Sequence, residues 1–494
     1  MARLTSLLTA VAAVVGTAQA TLPTEWTPIC KEIEAKISKA SDVIYPIQAI
    51  SFTSAITHWF WSSYEQPSCV FAPGSAEDVS VALQIIGATK TPFAVQSGGH
   101  SSNPGFSSTK GVHISLKRLD QVKLSEDKSV AEIGFGNVWV DVYKALEGTG
   151  RNVAGGRVPG PGVGGFTLGG GYSWKTSQYG LTCDTVKSYE LVLPASYHGW
   201  SLNGTITRVS KTLNPDLYFA LKGGLNRFGI VTSAEFYTHE QPEKVYGGLG
   251  IYPTSAVDKI LNATSQFSYL NKDPRTQIIT TLEGSPLGTT ALVLFFHDGP
   301  EKPATFELFD DIKPLIKAVK SQSFVSFVQT IPAQVVELTN IRGGFISFAT
   351  SELSQTFLEA IRQETDDISK IMGLHGGITV SYDIEPFTKY GEHATESAFP
   401  HTESPLPLNI YFAWSLPQND EFWYARMKQT LETLKKVAMD DGIYSDTFTY
   451  YPNYSLFDAT PEQLYGNENA ARLARIRDQV DPDRIMELAG GFKI

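Results

Sequence analysis

The chain has 494 residues, 42% of them hydrophobic and 18% charged, a globular composition long enough for two or three domains with substantial cores. Its formal net charge of −11 argues against a nucleic-acid binder, which carries a basic surface.

In chain order, one arginine precedes an apolar run from Leu4 to Val15, and Ala18-Gln19-Ala20 places small residues before a cleavage point after Ala20. This reads as a secretory signal peptide over 1–20. The run is shorter than the roughly 20 residues that span a bilayer, so a membrane anchor is disfavoured. Three cysteines follow, Cys30, Cys69 and Cys183. Secretion permits a disulfide, and Cys30 with Cys69, both N-terminal, is the expected pair. Sequons stand at Asn203, Asn262 and Asn453.

Ser75-Ala76-Glu77-Asp78 resembles a capping box and opens a helix to about Ala88. A strand over 91–95 runs into "SGGHS" (97–101), and strands follow over 111–116 and 129–136. Val138, Val142 and Leu146 share one helical face. Such mixing of strands and helices defines an α+β or α/β domain. From about 239 the character shifts to longer strands, as in "TQIITTLEG", "TTALVLFFHDG" and "GGITVSYDIEPF". A helical stretch lies over 351–373, and 467–480 is helical again after the aromatic "TFTYYPNYSLF".

The segment "AGGRVPGPGVGGFTLGGGYSW" (154–174) contains Gly160-x-Gly162-x-x-Gly165, the dinucleotide-binding string. Pro159 and Pro161 interrupt it and Gly169-Gly170-Gly171 break any long helix after it, so it is not read as a Rossmann turn. Glycines without Cβ still let backbone N–H groups approach a ligand closely. Two such loops suggest a large, flat, anionic ligand such as a flavin dinucleotide, with tight backbone packing as the alternative. The histidines show no paired metal spacing, and no metal is expected. Trp59-Phe60-Trp61 suits core packing or a substrate mouth. Asp383 and Glu385 alternate on a strand, facing either a ligand or solvent.

"SGGHS" (97–101), "GVGGFTLGGGYSW" (162–174), "YGLTCDTV" (179–186), "NPDLYFALKGGLNRFGIVT" (214–232), "YPNY" (451–454) and "DPDRIMELAGGFKI" (481–494) occur in one order across nearly the whole chain. In this set the chain resembles FAD-linked oxidoreductases of the vanillyl-alcohol oxidase type, in their berberine-bridge-enzyme-like branch of secreted fungal and plant proteins. The resemblance implies an α+β fold with a two-part PCMH-type FAD-binding domain. That domain would comprise residues 21–238, with its core over about 64–240, rejoined by a C-terminal segment 440–494. A substrate domain with a large antiparallel sheet backed by helices would span 239–439.

The resemblance also implies site roles. Ser97, Gly98, Gly99 and Ser101 would cradle the FAD pyrophosphate. His100 would carry the covalent bond to the flavin 8α-methyl. Gly164, Gly165, Thr167, Gly170 and Gly171 would line the flavin and its phosphates, and Gly229, Ile230 and Val231 would approach the adenine end. Many relatives make a second link from a cysteine where this chain has Val158, so a single bond is expected. Pro161 stands at the position that gates oxygen, which leaves oxidase and dehydrogenase behaviour open. Gln96 replaces a common Arg or Lys. Tyr454 would act as base, with Tyr451 beside it and Asn453 facing the flavin. Asn203 and Asn262 are then the better glycan acceptors. The implied activity is hydride removal from an alcohol or related C–H bond of a small molecule, with molecular oxygen or another acceptor. The substrate is either a sugar or oligosaccharide, or a secondary metabolite. A monomer without nucleic-acid or membrane partners is expected. The competing reading is a non-catalytic flavin or carbohydrate binder that keeps the fold.

Overall fold

A computed structural model describes residues 25–194, 204–331 and 341–494. The signal segment and Asn203 lie outside the described residues.

Burial of apolar positions sets the first half of the molecule. Strands Asp42–Ile44, Cys69–Ala72, Val112–Ser115 and Phe93–Gln96 form one sheet, its last three strands parallel. A second, antiparallel sheet runs Val122–Leu124, Val130–Gly134, Ile230–Tyr237, Val186–Val192, Ile206–Ser210. Helix Ala76–Thr89 packs between them through Val79, Ala82, Leu83 and Ile86. Ser75 caps it, its hydroxyl accepting the Asp78 N–H. Only half of the predicted capping box forms, because the Asp78 carboxylate instead accepts from Ser38 and Ser41. Cys30 and Cys69 are joined by a disulfide that ties helix Thr27–Lys36 to this sheet, and Cys183 is a buried free thiol.

The second region is a seven-stranded antiparallel sheet. Its order is Ile316–Gln322, Val245–Tyr252, Gly288–His297, Thr276–Ser285, Gly377–Ile384, Leu406–Trp414, Arg342–Thr350. Helices Val257–Leu270, Gln355–Met372 and Asp420–Asp440 cover one face, where Leu282, Tyr382, Ile410 and Phe412 are buried. Three of these strands escaped sequence reading. Arg342–Thr350 starts on a glycine pair, Leu406–Trp414 carries Pro407, and Ile316–Gln322 alternates with lysines on an exposed edge.

The chain then returns to the first region. Helix Pro461–Val480, kinked at Gly466, packs by Leu473 and Ile476 into the first core. Arg227 donates to the carbonyls of Met486 (2.8 Å) and Phe492 (2.6 Å), which pins the C-terminal turn. The architecture is therefore α+β with a large helix-backed antiparallel sheet.

The two regions are also clamped by buried charge. Lys222 lies 3.6 Å from the Asp184 carboxylate, which also accepts from His401 Nε2 at 2.8 Å. Burial pushes the Asp184 carboxyl up, but the facing His401 and Lys222 more than offset this and hold it below its ordinary value.

Candidate active site

The two glycine loops meet backbone to backbone. A Cβ on Gly98 would fall 2.3 Å from the Gly162 nitrogen, and one on Gly162 would fall 2.1 Å from the Gly98 nitrogen. Both positions therefore exclude every residue but glycine. The Ser97 hydroxyl donates to the Phe135 carbonyl (2.6 Å) and accepts the Gly164 N–H (3.2 Å), which locks the pair of loops. "VGGFTL" forms a short helix, Val163–Leu168, rather than the long helix of a Rossmann unit. Gly165 on it is exposed, and a Cβ there meets nothing within 4 Å. The neighbouring Thr167 hydroxyl is buried with no hydrogen-bond partner among the described residues. Open space over Gly165 beside an orphaned hydroxyl fits a bound group with polar atoms, as the pyrophosphate and ring edge of FAD are. Gly170 and Gly171 are held differently. Both have positive φ, and their carbonyls accept from Cys183 and Thr182. Gly229, Ile230 and Val231 enter the antiparallel sheet beside Val192 and Leu191, with Ile230 and Val231 buried.

His100 follows directly on this cradle, with Ser101 after it. It is only partly buried. Burial pushes its imidazole down to about 3, so the ring is neutral. Trp59 stands edge-on to it at 4.3 Å, and the Trp59 backbone N–H donates to the Gly99 carbonyl (3.0 Å). Of the aromatic triplet, Trp59 packs on His100, Phe60 is core, and Trp61 is exposed against Tyr64. Gln96 packs its amide against Gly99 of the loop, donating to the Thr57 carbonyl and accepting from His113. Val158 is half-buried against the first core.

The opposite wall is the uncovered face of the large sheet. Register aligns Thr281, Asp383, Asn409 and Ser347 in one row across four strands, and Tyr411 with Phe345 in the next. Thr281 (2.6 Å) and Asn409 (2.9 Å) both donate to the Asp383 carboxylate, and burial pushes that carboxyl up. Asp383, Tyr411 and Tyr454 are, like His100, partly buried. Ring contacts connect the walls: Phe345 lies 6.1 Å from Trp59, 5.4 Å from Tyr411 and 6.1 Å from Tyr454.

Tyr454 and Tyr451 sit on a turn at Pro452–Tyr454. The Tyr454 oxygen accepts from Arg157 Nη2 at 2.6 Å. The same guanidinium holds Glu385 through both carboxylate oxygens, at 2.6 and 2.8 Å. Burial pushes the Tyr454 phenol well up, and Arg157 opposes that rise. Burial likewise pushes Tyr451 up to about 12. Its hydroxyl accepts from the Gly171 N–H (3.0 Å) and Asn453 Nδ2 (2.9 Å). Asn453 also donates to the Phe166 carbonyl (3.1 Å), so its amide is taken up internally, whereas Asn262 is exposed on a helix.

Sequence reading missed Arg157, Phe345, Asn409 and Tyr411. Arg157 carried a signal as the one charged residue within the glycine-rich segment. The other three did not, because only sheet register aligns them. An open groove of about 360 Å³ lined by Asn271, Asp273, Arg275, His297 and Lys302 shares none of these residues. Among the described residues there is no cluster suited to a metal ion, and no helix is long and apolar enough to cross a membrane.

A glycine cradle, a neutral histidine and a tyrosine linked to it through one ring cluster fit a flavin-dependent oxidoreductase. Residues 67–197 match the FAD binding domain family. The FAD-dependent monooxygenase tpcD of Cochliobolus heterostrophus is 30% identical over 478 residues, covering 91% of this chain and 89% of that protein. Among solved structures, BBE-like 1 of Physcomitrella patens superposes with a TM-score of 0.76 at 18% identity, covering 94% of this chain and 98% of the other. Glucooligosaccharide oxidase of Acremonium strictum, described with a 6-S-cysteinyl, 8α-N1-histidyl FAD, gives 0.74 at 21% identity, covering 92% and 97%. The chain belongs to the family of FAD-dependent oxidoreductases that includes tpcD, and it has the fold of BBE-like 1.

Proposed function

We propose that this oxidoreductase is secreted and holds FAD by one covalent bond at His100. In this reading it oxidises a C–H bond of a small, planar, largely apolar metabolite, with Tyr454 as proton acceptor and molecular oxygen as final electron acceptor. The observation that carries the reading is the placement of the partly buried His100 and Tyr454 around one cluster of rings, Trp59, Phe345 and Tyr411. When bound, FAD supplies the two-electron acceptor. The neutral His100 ring has the lone pair that a bond to the flavin 8α carbon would need; the C–H and N–H bonds broken in forming it would leave their two protons and two electrons on the flavin, and molecular oxygen, the acceptor proposed here, would take them up as peroxide. Val158 has no nucleophile to offer a second bond. Burial pushes the Cys183 thiol well up, so it stays protonated and unreactive.

The wall chemistry supports the substrate class. Thr281 and Asn409 direct their donors to Asp383. Trp59, Phe345 and Tyr411 then offer mainly ring surface, which suits a flat apolar body. The Asp383 carboxylate remains as acceptor for one hydroxyl or amine. A sugar ring, with several hydroxyls, would find fewer partners. The roles of Tyr454 and Tyr451 follow from position. A buried phenol, protonated at rest, serves as base only if it passes its own proton on as it takes up the substrate's, and the Glu385 carboxylate, hydrogen-bonded to Tyr454, would receive that proton. Tyr451, pinned by Gly171 and Asn453, fixes the backbone turn that presents Tyr454. Secretion is supported by the apolar N-terminal segment and by the Cys30–Cys69 disulfide, which persists in oxidising compartments. Asn203 and Asn262 would then be its glycan sites.

Acid precipitation of the holoenzyme tests the tether. The pellet should stay yellow, and His100→Ala should release its flavin into the supernatant; a colourless parent pellet sinks the covalent bond. Peroxide release against paired panels of phenolic alcohols and oligosaccharides tests the substrate class. Oxidation confined to the oligosaccharides would overturn it.

A further inference from the structure

Arg157 is held in place more firmly than a loop arginine needs to be. Gly155 and Gly156 before it press on Trp139, where added Cβ atoms would fall 2.2 and 2.4 Å from the ring. Its carbonyl accepts Trp174 Nε1 (2.9 Å). Its guanidinium carries the two bonds to Glu385 and passes 5.9 Å from the centre of the Phe387 ring. Glu385 itself sits at a turn closed by the Phe387 N–H on its carbonyl (2.9 Å). A bidentate guanidinium–carboxylate pair fixes the plane of the arginine as well as its position. That plane aims the second Nη2 hydrogen at the Tyr454 oxygen.

We propose that Arg157 is a positioning residue for the oxidation: braced by Glu385, it points a cationic N–H at the Tyr454 oxygen and stabilises that oxygen while it carries negative charge. This rests on the reading of Tyr454 as proton acceptor. Fixed donors aimed at a developing charge in a water-poor site cost no reorganisation during reaction. The ionisable groups facing Tyr454 are Arg157 from the glycine-rich loop, Glu385 and Asp383 from the sheet side, and Tyr451 from its own turn. Arg157 is the only cation among these four. Removing its charge leaves Tyr454 facing only carboxylates and a phenol, which all disfavour a phenolate. The pairing also couples the two regions. Arg157 belongs to the glycine-rich loop of the first and Glu385 to the sheet of the second, so the tyrosine is tuned only when both are in place.

The test places a fluorinated tyrosine, whose phenol ionises below that of tyrosine, at position 454 alone. The fluorine resonance of the flavin-loaded protein is then followed against pH. Arg157→Gln should raise the ionisation midpoint by roughly 1–3 pH units, the range for loss of a close opposite charge. Arg157→Lys, which keeps the charge but not the fork, should fall between. An unchanged midpoint in Arg157→Gln protein that retains its flavin overturns the proposal. If Arg157→Gln fails to load flavin, Arg157→Lys decides alone: a midpoint equal to the parent's overturns the proposal, and a raised one supports it. Tyr454→Phe is assayed separately against the phenolic-alcohol panel. Undiminished turnover there overturns the base reading, whereas the fluorine midpoint reports on Arg157 independently.

Discussion

The two sides of the candidate site are built by opposite means. On the first, backbone does the work: Gly98 and Gly162 touch through bare Cα positions, and Ser97 bolts the loops together. On the second, side chains do it: Asp383, Asn409, Tyr411 and Phe345 come from strands far apart in sequence and meet only through antiparallel register. In the function proposed here, a cradle made of backbone would bind what is constant, the cofactor. A wall made of side chains can vary with the substrate without disturbing the sheet beneath it.

Substitutions that act on one wall and spare the other sharpen this contrast. The largest effect belongs to the second wall. Tyr454→Phe should lower turnover by about 10²–10⁴-fold, the usual contribution of a positioned proton-transfer group, while flavin stays bound. Steady-state peroxide release together with the flavin spectrum checks both parts, and loss of flavin alongside turnover would blur the division between the walls.

Next comes the clamp that holds the walls together. Asp184→Asn leaves Lys222 and His401 buried without their anion and should destabilise the fold by about 3–5 kcal/mol, measured by denaturant unfolding. The pH dependence has a fixed sign. The folded Asp184 carboxyl lies below its unfolded value, so its contribution is present above about pH 3.9, the unfolded carboxylate value, and is lost as pH falls through the folded one. Acid unfolding of Asp184→Asn should therefore lose part of the steepness of the parent; identical acid limbs would contradict this.

Within the first wall, two glycines in one loop should part company. Gly162→Ala drives a methyl into the Gly98 backbone and should destabilise by roughly 1–3 kcal/mol, with flavin loading impaired as a consequence. Gly165→Ala meets open space within a helix and should stabilise the flavin-free fold by up to about 1 kcal/mol. Its methyl enters the proposed cofactor space, so flavin loading should still fall. Thermal unfolding and flavin content, measured on both variants, separate the cases. Equal melting of the two would mean that the Gly98–Gly162 contact relaxes.

How much was readable beforehand follows the same division. "SGGHS", "VGGFTLGGG" and "YPNY" are contiguous, so residues 97–101, 162–171 and 451–454 could be picked out as strings. Helices with clear caps, such as Ala76–Thr89 and Gln355–Met372, were legible to within a few residues because their capping signals are local. Arg157 was visible but mute: nothing near it in the chain names Glu385, 228 residues later, as its partner.

The sequence by itself determined the glycine cradle, the histidine within it, the paired tyrosines and the presence of a second, strand-rich region, because backbone conformation and periodic burial are written locally. Only the tertiary structure decided that Arg157, braced by Glu385, reaches Tyr454, and that Asp383 is bound by Thr281 and Asn409 rather than left to solvent. Strand register and the meeting of distant segments set those contacts, and shifting one strand by a single residue would turn the same side chains to the other face.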